Sequence, residues 1–179
     1  MFLSLKKEKD EYDHERTRRS AVRQDKTSKS MTTTWRFAPA TEADFEPLLA
    51  IRIDVMREHL ERVFRYDPSR ARRVFREHFA EPGLRLILIG DEIAGCVGFR
   101  VGKAEIKIDS FYLARRHHNR GLGAEILKVL LAEADALGLP CELDVLLGSP
   151  ADRFYERHGF VKQGQDDIEA NFRRPISRG

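Results

Sequence analysis

Basic residues and two glycines stand directly before a long amphipathic segment in residues 111–140, which read FYLARRHHNRGLGAEILKVLLAEADALGLP. The apolar spacing predicts a helix from Leu122 to Leu137, so Gly121 and Gly123 flank its first residue. The first turn of a helix has unpaired backbone N–H groups and the positive end of the helix dipole, and both favour an anion. Glycines allow an anion to approach the main chain closely. The spacing therefore predicts a turn that holds a phosphate group.

Glycine-rich phosphate turns follow several sequence patterns, and two well-known ones do not fit. A P-loop requires Lys followed by Ser or Thr, and neither pair follows Gly121 or Gly123. A dinucleotide-binding turn requires a third glycine where Ile126 stands, within a strand–helix–strand unit. Asp144 lies about 20 residues further on, where an acid would bind ribose, but its strand continues with three more apolar residues. A third pattern, Gln or Arg followed by x-x-Gly-x-Gly or x-x-Gly-x-Ala, fits better.

Periodic apolar patterns predict the elements that would position this turn. Strands are predicted at residues 35–39, 84–89, 93–101, 104–113, 141–147, 160–163 and 168–174. Helices are predicted from a cap at residues 41–44 to about residue 65, at 70–79, at 122–137, and from a cap at Ser149 to Gly159. The order β, α, α, β, β, β, α, β, α, β, β predicts a mixed α/β (α+β) sheet with helices packed against it. Short connections make the strands between residues 84 and 113 an antiparallel meander.

Helical periodicity also predicts which residues face the core. The expected buried stripe of the helix 122–137 comprises Leu122, Ile126, Val129, Leu130 and Leu137. The segment Asp67-Pro68-Ser69 is expected to break the chain between the first two helices.

The charges of the chain separate a tail from a domain. Residues 1–30 contain nine Lys and Arg against six Asp and Glu, which leaves 23 of each for the rest (32 − 9 and 29 − 6). The tail has few apolar residues, so residues 1–33 are expected to be a disordered or loosely structured charged extension. Residues 34–179 are expected to form one domain. Its neutral balance argues against a nucleic-acid-binding protein, and the mixed signs of the tail argue against a membrane anchor.

The two cysteines, Cys96 and Cys141, both stand in apolar runs. Two isolated cysteines offer neither a disulfide framework nor metal-ligand spacing, so both are expected to be reduced core residues, without a metal. No apolar run approaches the roughly 20 residues that span a bilayer. We therefore expect a soluble cytoplasmic protein.

Two blocks of the sequence resemble the GCN5-related N-acetyltransferase (GNAT) family. Residues 108–140, from IDSFYL to ADALGLP, resemble the acetyl-coenzyme A (acetyl-CoA) block of the family. Residues 149–164, SPADRFYERHGFVKQG, resemble its C-terminal block, usually written N-P-A-x-x-F-Y-E-x-x-G-F. The resemblance covers roughly Trp35 to Pro175. It implies the acyl-CoA N-acyltransferase fold, in which helices flank a central, mostly antiparallel sheet.

The resemblance implies which residues hold the coenzyme. The turn whose main chain would cradle the pyrophosphate comprises His118, Asn119, Arg120, Gly121, Leu122 and Gly123. The pantetheine arm would pair with the strand end at Tyr112 and Leu113, and a backbone N–H near Leu113 would stabilise the thioester oxyanion. His118 replaces the usual Gln or Arg of the family, which main-chain binding should tolerate. Ser149 replaces the usual Asn, which removes an amide but keeps a helix cap.

The resemblance also implies the chemistry. Tyr155 matches the family's tyrosine that donates a proton to the departing thiolate, and Asp109 is the candidate base that deprotonates the acceptor. The implied reaction is direct transfer of acetyl from acetyl-CoA to a primary amine of a small molecule, peptide or protein. A non-catalytic acyl-CoA sensor is the main alternative, and a nucleic-acid-binding protein acting through the tail is a weaker one. A monomer or a homodimer is expected.

Overall fold

The computed structural model describes residues 34–63 and 67–176. The predicted N-terminal extension, residues 1–33, lies outside the described residues, as does the predicted end of the first helix near residue 65. Residues 33–179 form one compact unit.

The described residues form one seven-stranded sheet in the order β1-β2-β3-β4-β5-β7-β6. Its strands are β1 Trp35–Pro39, β2 Leu84–Ile89, β3 Glu92–Val101, β4 Ile106–Leu113, β5 Cys141–Leu146, β6 Val161–Gln165 and β7 Glu169–Arg174. All neighbours are antiparallel except β4 and β5, which are parallel. The predicted mixed sheet and its central antiparallel meander are therefore confirmed.

Helices cover both faces of this sheet. The α-helices are α1 Phe45–Val63, α2 Pro68–Ala80, α3 Leu122–Leu137 and α4 Ala151–Glu156, with 3₁₀ turns at Glu42–Asp44 and Arg115–His117. One core cluster packs α3 against the sheet, and a second packs α1 and α2. Neighbouring residues of one strand belong to different clusters, as Leu86 and Ile87 do, because successive side chains point to opposite faces.

The segment Asp67-Pro68-Ser69, predicted to break the chain, instead starts α2. The Asp67 carboxylate accepts hydrogen bonds from the backbone N–H groups of Ser69, at 2.8 Å, and Arg70, at 3.3 Å. Pro68 occupies the first helical position, where the missing N–H costs no hydrogen bond. The helix thus begins two residues earlier than predicted.

The buried face of α3 differs in part from the predicted stripe. Three of the five predicted residues are buried, but Val129 and Leu137 are 46% and 50% exposed. Leu127, Leu131 and Ala134 are buried in their place. The helix is apolar around most of its circumference, so several stripes fit its sequence, and only packing against the sheet selects one.

Strands β4 and β5 separate soon after they begin. They pair only at Ile106 with Cys141 and at Lys107 with Glu142. Beyond these pairs the two strands have no ladder between them, although β4 continues to Leu113 and β5 to Leu146. The sheet therefore opens into a cleft at its centre.

Candidate active site

A cavity of about 540 Å³ occupies the opening between β4 and β5. One side is lined by residues 107–112 of β4, another by residues 143–146 of β5, and others by residues of α1, α2 and α4. Four of the predicted site residues line it, namely Asp109, Tyr112, Ser149 and Tyr155. The cavity is therefore continuous with the strand edge at which the pantetheine arm was predicted.

The predicted phosphate turn forms the entry to α3. Gly121 has φ +83° at the N-cap, a conformation that favours glycine, and no side chain of the described residues caps the helix. Asn119 also has positive φ, at +57°, and Leu122 is buried in the core. Gly123 lies in the first helical turn, where an added Cβ would be 3.6 Å from Leu113 Cδ1. The turn thus presents an uncapped helix N-terminus, which suits an anion.

A histidine connects this turn to the end of β4. The His118 ring lies with Nε2 2.7 Å from the Leu113 carbonyl oxygen, so Nε2 carries the hydrogen and donates it. Ala114 N–H donates to Ala94 O of β3 at 2.9 Å. Successive N–H groups of a strand point to opposite sides, so Leu113 N–H points away from β3, towards the cleft. This is the backbone group predicted to stabilise an oxyanion.

The arginines around the turn have different partners. Arg115 bonds to Asp54 of α1, with its Nε 3.3 Å from Asp54 Oδ1, and Arg116 forms an ion pair with Glu92. Arg120 is exposed and forms no ion pair with any residue from 34 to 63 or 67 to 176. Arg120 is therefore the arginine of this cluster whose charge remains available for a phosphate.

His117, next to the turn, carries a buried ring nitrogen. Its Nε2 has no hydrogen-bond partner among the described residues. Burial and the charge of Arg116 lower the pKa of this imidazole, which favours its neutral form.

Tyr155 is the fifth residue of α4 and lines the cavity. Its ring packs edge-on against Phe154 and Phe160, with ring centroids 5.1 and 5.6 Å apart. No described residue forms a hydrogen bond with its hydroxyl. Burial, and to a lesser extent Tyr112, raises the pKa of this phenol, so it keeps its proton at neutral pH. The N-cap of α4 is Pro150 and not Ser149 as predicted, although the Ser149 hydroxyl accepts a hydrogen bond from Ala151 N–H at 3.2 Å.

Arg52 is a site residue that the sequence did not indicate. It is only 7% exposed, lines the cavity, and donates from Nε to the Tyr112 hydroxyl at 3.2 Å. Burial raises the pKa of Tyr112, while the Arg52 charge acts in the opposite direction. One signal was present: Arg52 follows Leu48 and Leu49 at helical spacing, on the face that those two residues bury.

Asp109, the predicted base, is held by an arginine. Arg100 Nε lies 2.5 Å from Asp109 Oδ2, and Arg100 Nη2 lies 3.1 Å from Oδ1. Both side chains are about one-seventh exposed, at 13% and 14%. Because Arg100 also donates to the His78 carbonyl oxygen at 2.8 Å, the pair fastens β3 and β4 to α2. This geometry favours a structural role for Asp109.

Other carboxylates that line the cavity lie on β5, on β7 and in the turn before β7. Asp144 forms an ion pair with Lys107 at 3.2 Å, and Asp166 accepts hydrogen bonds from backbone N–H groups of the turn. Burial, Asp144 and Asp166 together raise the pKa of Glu169. Glu169 is thus a carboxylate at the cavity with no ion pair to any described residue.

Within the described residues there is no cluster of metal-binding side chains. Nor does that part of the chain contain a helix long and apolar enough to cross a membrane.

Comparison with known proteins identifies the family. Residues 51–160 match the family model described as the acetyltransferase (GNAT) family. The chain belongs to the GNAT acetyltransferase family. This GNAT protein is therefore an N-acetyltransferase that uses acetyl-CoA as co-substrate, as the resemblance of the two sequence blocks implied. No curated protein matches the chain.

Solved structures share the fold of this GNAT acetyltransferase. The PaiA N-acetyltransferase of Thermoplasma acidophilum, in complex with coenzyme A, is 12% identical, with a TM-score of 0.65 over 79% of this chain and 99% of its own. Ard1 of Thermoplasma volcanium is 17% identical, with a TM-score of 0.60 over 80% and 99%. The ribosomal-protein-S18-alanine N-acetyltransferase of Escherichia coli is 16% identical, with a TM-score of 0.57 over 82% and 96%. These similarities confirm the predicted fold.

Proposed function

We propose that this enzyme transfers the acetyl group of acetyl-CoA to a primary amine of a small molecule or peptide by direct attack. One observation carries the proposal: the opening between β4 and β5 contains a cavity lined by Tyr155, whose hydroxyl forms no hydrogen bond with any described residue. A hydroxyl in this position is available for a reacting group.

The coenzyme would lie across the turn and the strand edge. The pyrophosphate would bind the uncapped N–H groups of residues 118–123, with Arg120 as its counter-charge. The pantetheine arm would pair with β4 near Tyr112 and Leu113, whose edge β5 leaves open. The thioester oxygen would then accept a hydrogen bond from Leu113 N–H, which becomes stronger as negative charge develops on that oxygen.

In the chemical step, the acceptor nitrogen forms a bond to the thioester carbon and the carbon–sulfur bond then breaks. The proton that the nitrogen loses would pass to Glu169, directly or through water, since both Asp109 oxygens are engaged by Arg100. The electron pair of the broken bond remains on sulfur, and Tyr155 would supply the proton for that thiolate. The products are an N-acetyl amine and free coenzyme A.

Release of coenzyme A thiol from acetyl-CoA, measured with a panel of primary amines, tests this proposal. Mass spectrometry should show one added acetyl group on each amine that releases thiol. An enzyme that binds coenzyme A but releases no thiol with any small amine or peptide would instead support the acyl-CoA sensor.

A further inference from the structure

Arg52 carries a buried charge that no carboxylate of residues 34–63 or 67–176 balances. Its hydrogen-bond acceptors are neutral: Nε donates to the Tyr112 hydroxyl and Nη1 to the Ala71 carbonyl oxygen, each at 3.2 Å. The rings of Phe75 and Tyr112 lie 5.9 Å from its guanidinium carbon. Within the described residues no hydrogen bond engages Nη2, and no acid forms an ion pair with the guanidinium. The Nη2 group of Arg52 is therefore available to donate hydrogen bonds to a ligand.

Two other arginines with little exposure differ from Arg52 in this respect. Arg100 holds Asp109 by two hydrogen bonds, and Arg174 holds Asp135 by two of 2.8 Å. The side chains of both arginines are 13% exposed. Burying a cation without an anion is unfavourable, so this fold pairs buried arginines wherever their charge is structural. Because Arg52 has no ion pair with any described residue, its charge is available for the anion of a ligand.

The position of Arg52 limits what that anion can be. Arg52 lines the same cavity as Tyr155, and it bonds to Tyr112, next to Leu113 at the edge proposed for the thioester. The cavity is also lined by Glu169, a carboxylate without an ion pair to any described residue, and by Asp144, which pairs with Lys107. An anion at Arg52 and an ammonium group at Glu169 would thus lie in one cavity of about 540 Å³. This charge distribution matches a small molecule with both charges.

We infer that the acceptor carries a carboxylate that binds Arg52, so that the substrate class is a free amino acid. The inference rests on the proposed function for the identity of the reaction, but not for the binding of the carboxylate. A guanidinium recognises a planar carboxylate through two parallel hydrogen bonds, and a buried site strengthens them. The carboxylate would hold the amine a few bonds away, next to the thioester carbon.

The unmodified enzyme provides the first test, through amino acids compared with their amides as acceptors. Each amide keeps the amine and side chain but has no carboxylate. We expect kcat/KM to be about 10-fold or more higher for the acid than for its amide, because charge-assisted hydrogen bonds are lost. Amides that react as well as the acids would overturn the inference while leaving the acetyltransferase activity intact.

The second test compares Arg52→Gln with Arg73→Gln. Arg73 is an exposed arginine of the same α1–α2 region that does not line the cavity, so its replacement controls for loss of one positive charge. Arg52→Gln should remove the preference for acids over amides, mainly through KM, and Arg73→Gln should keep it. Arg52→Lys keeps the positive charge but cannot donate two parallel hydrogen bonds to a carboxylate. This variant should therefore retain only part of the preference for acids over amides.

A third test needs no turnover. Calorimetry measures how tightly N-acetyl amino acids bind the enzyme in the presence of coenzyme A, and so whether Arg52 binds their carboxylate. We expect Arg52→Gln to weaken this binding about 10-fold or more and to leave coenzyme A affinity unchanged. No binding to the unmodified enzyme, or a loss of coenzyme A affinity in Arg52→Gln, would overturn the inference. Binding without any thiol release would instead contradict the proposed reaction alone.

Discussion

Burial affects both Tyr155 and the thiolate that it is proposed to protonate. In water a thiol has a pKa of about 8.5 and a phenol about 10, so proton transfer from Tyr155 to the thiolate is already uphill. Burial raises the pKa of Tyr155 further, and the thiolate in the same cavity is also desolvated. Acidity alone therefore cannot make Tyr155 a donor. Its hydroxyl has to lie within hydrogen-bond reach of sulfur as the carbon–sulfur bond breaks.

Tyr155→Phe separates this role from packing, since the ring contacts with Phe154 and Phe160 persist. We expect coenzyme A affinity to stay within a few-fold and turnover to fall by about 10²-fold or more, the usual effect of losing a general acid. Steady-state kinetics with a reactive amine provide the measurement. Equal turnover would leave water as the proton source and packing as the role of Tyr155.

Replacing each candidate base by its amide is expected to have opposite effects on stability and activity. Asp109→Asn leaves the buried Arg100 with only the more exposed Glu81 as an acid partner, so we expect a loss of about 3 kcal/mol in the free energy of unfolding. Glu169→Gln breaks no ion pair within the described part of the chain and should leave stability nearly unchanged, but it should lower kcat/KM by about 10²-fold. Chemical denaturation and kinetics on both variants distinguish the roles. A stable, inactive Asp109→Asn would return the role of base to Asp109.

The pH dependence of activity provides a second test of Glu169 as the base. A base must be deprotonated, and burial and two neighbouring acids raise the pKa of Glu169. Activity should therefore rise with pH through a value above the usual 4.3 or so of a glutamate. In Glu169→Gln this acidic limb should disappear, and an unchanged limb would assign it to another group.

At the scale of elements, the N-terminus of α3 is expected to bind the pyrophosphate through both its backbone N–H groups and its positive helix dipole. Gly121 has positive φ, and an added Cβ there would contact no atom within 4 Å, so substitution introduces strain but no collision. Asn and Asp tolerate positive φ similarly and differ by one charge. We expect coenzyme A to raise the melting temperature of Gly121→Asn, and to have no effect on Gly121→Asp. Equal stabilisation of the two variants would contradict binding of the pyrophosphate at this turn.

Strand β2 and helix α3 are joined by a salt bridge that should make stability depend on pH. Arg85 Nη1 and Nη2 lie 2.7 and 2.8 Å from the Glu133 carboxylate oxygens, which lowers the pKa of Glu133. A carboxylate with a lowered folded-state pKa stabilises the fold above its unfolded pKa, and this contribution is lost as pH falls through the folded value. Glu133→Gln should therefore melt lower at pH 7, and the difference should shrink below about pH 4. A difference independent of pH would show that the ion pair contributes little.

Elements and their order could be predicted because apolar periodicity and turn residues are local signals. The sequence blocks around Gly121 and Tyr155 were sufficient to indicate the family. Features set by packing were not predictable, such as the face of α3 that buries Leu131 in place of Val129. Ser110, with φ +49° at the irregularity in the β3–β4 register, carries no sequence signal because serine does not favour that conformation. Arg52 was missed for a related reason: charge normally marks an exposed position.

At the scale of the whole molecule, the charges of the domain balance but are not uniformly distributed. Residues 31–179 contain 23 Lys and Arg and 23 Asp and Glu. Many of these pair locally, as Arg85 does with Glu133, so the long-range field of the domain is weak. The cavity nevertheless contains one cation, Arg52, and one carboxylate, Glu169, that have no ion pair to any described residue. Selection of the acceptor is therefore expected to occur inside the cavity, with little steering from outside it.

The core of the domain leads to a prediction about residues 1–30. Every buried residue of the two core clusters lies between Phe45 and Phe172. Residues 1–30 contain 15 charged side chains (nine basic and six acidic), too polar a composition to add much buried apolar area. We expect their removal to shift the melting temperature by less than about 3 °C, which corresponds to less than about 1 kcal/mol, and to leave coenzyme A affinity unchanged. Thermal unfolding of the full chain and of the shortened chain, with and without coenzyme A, provides the measurement. A larger loss without coenzyme A would place the domain boundary before residue 34, and a loss only with coenzyme A would assign the tail to the binding site.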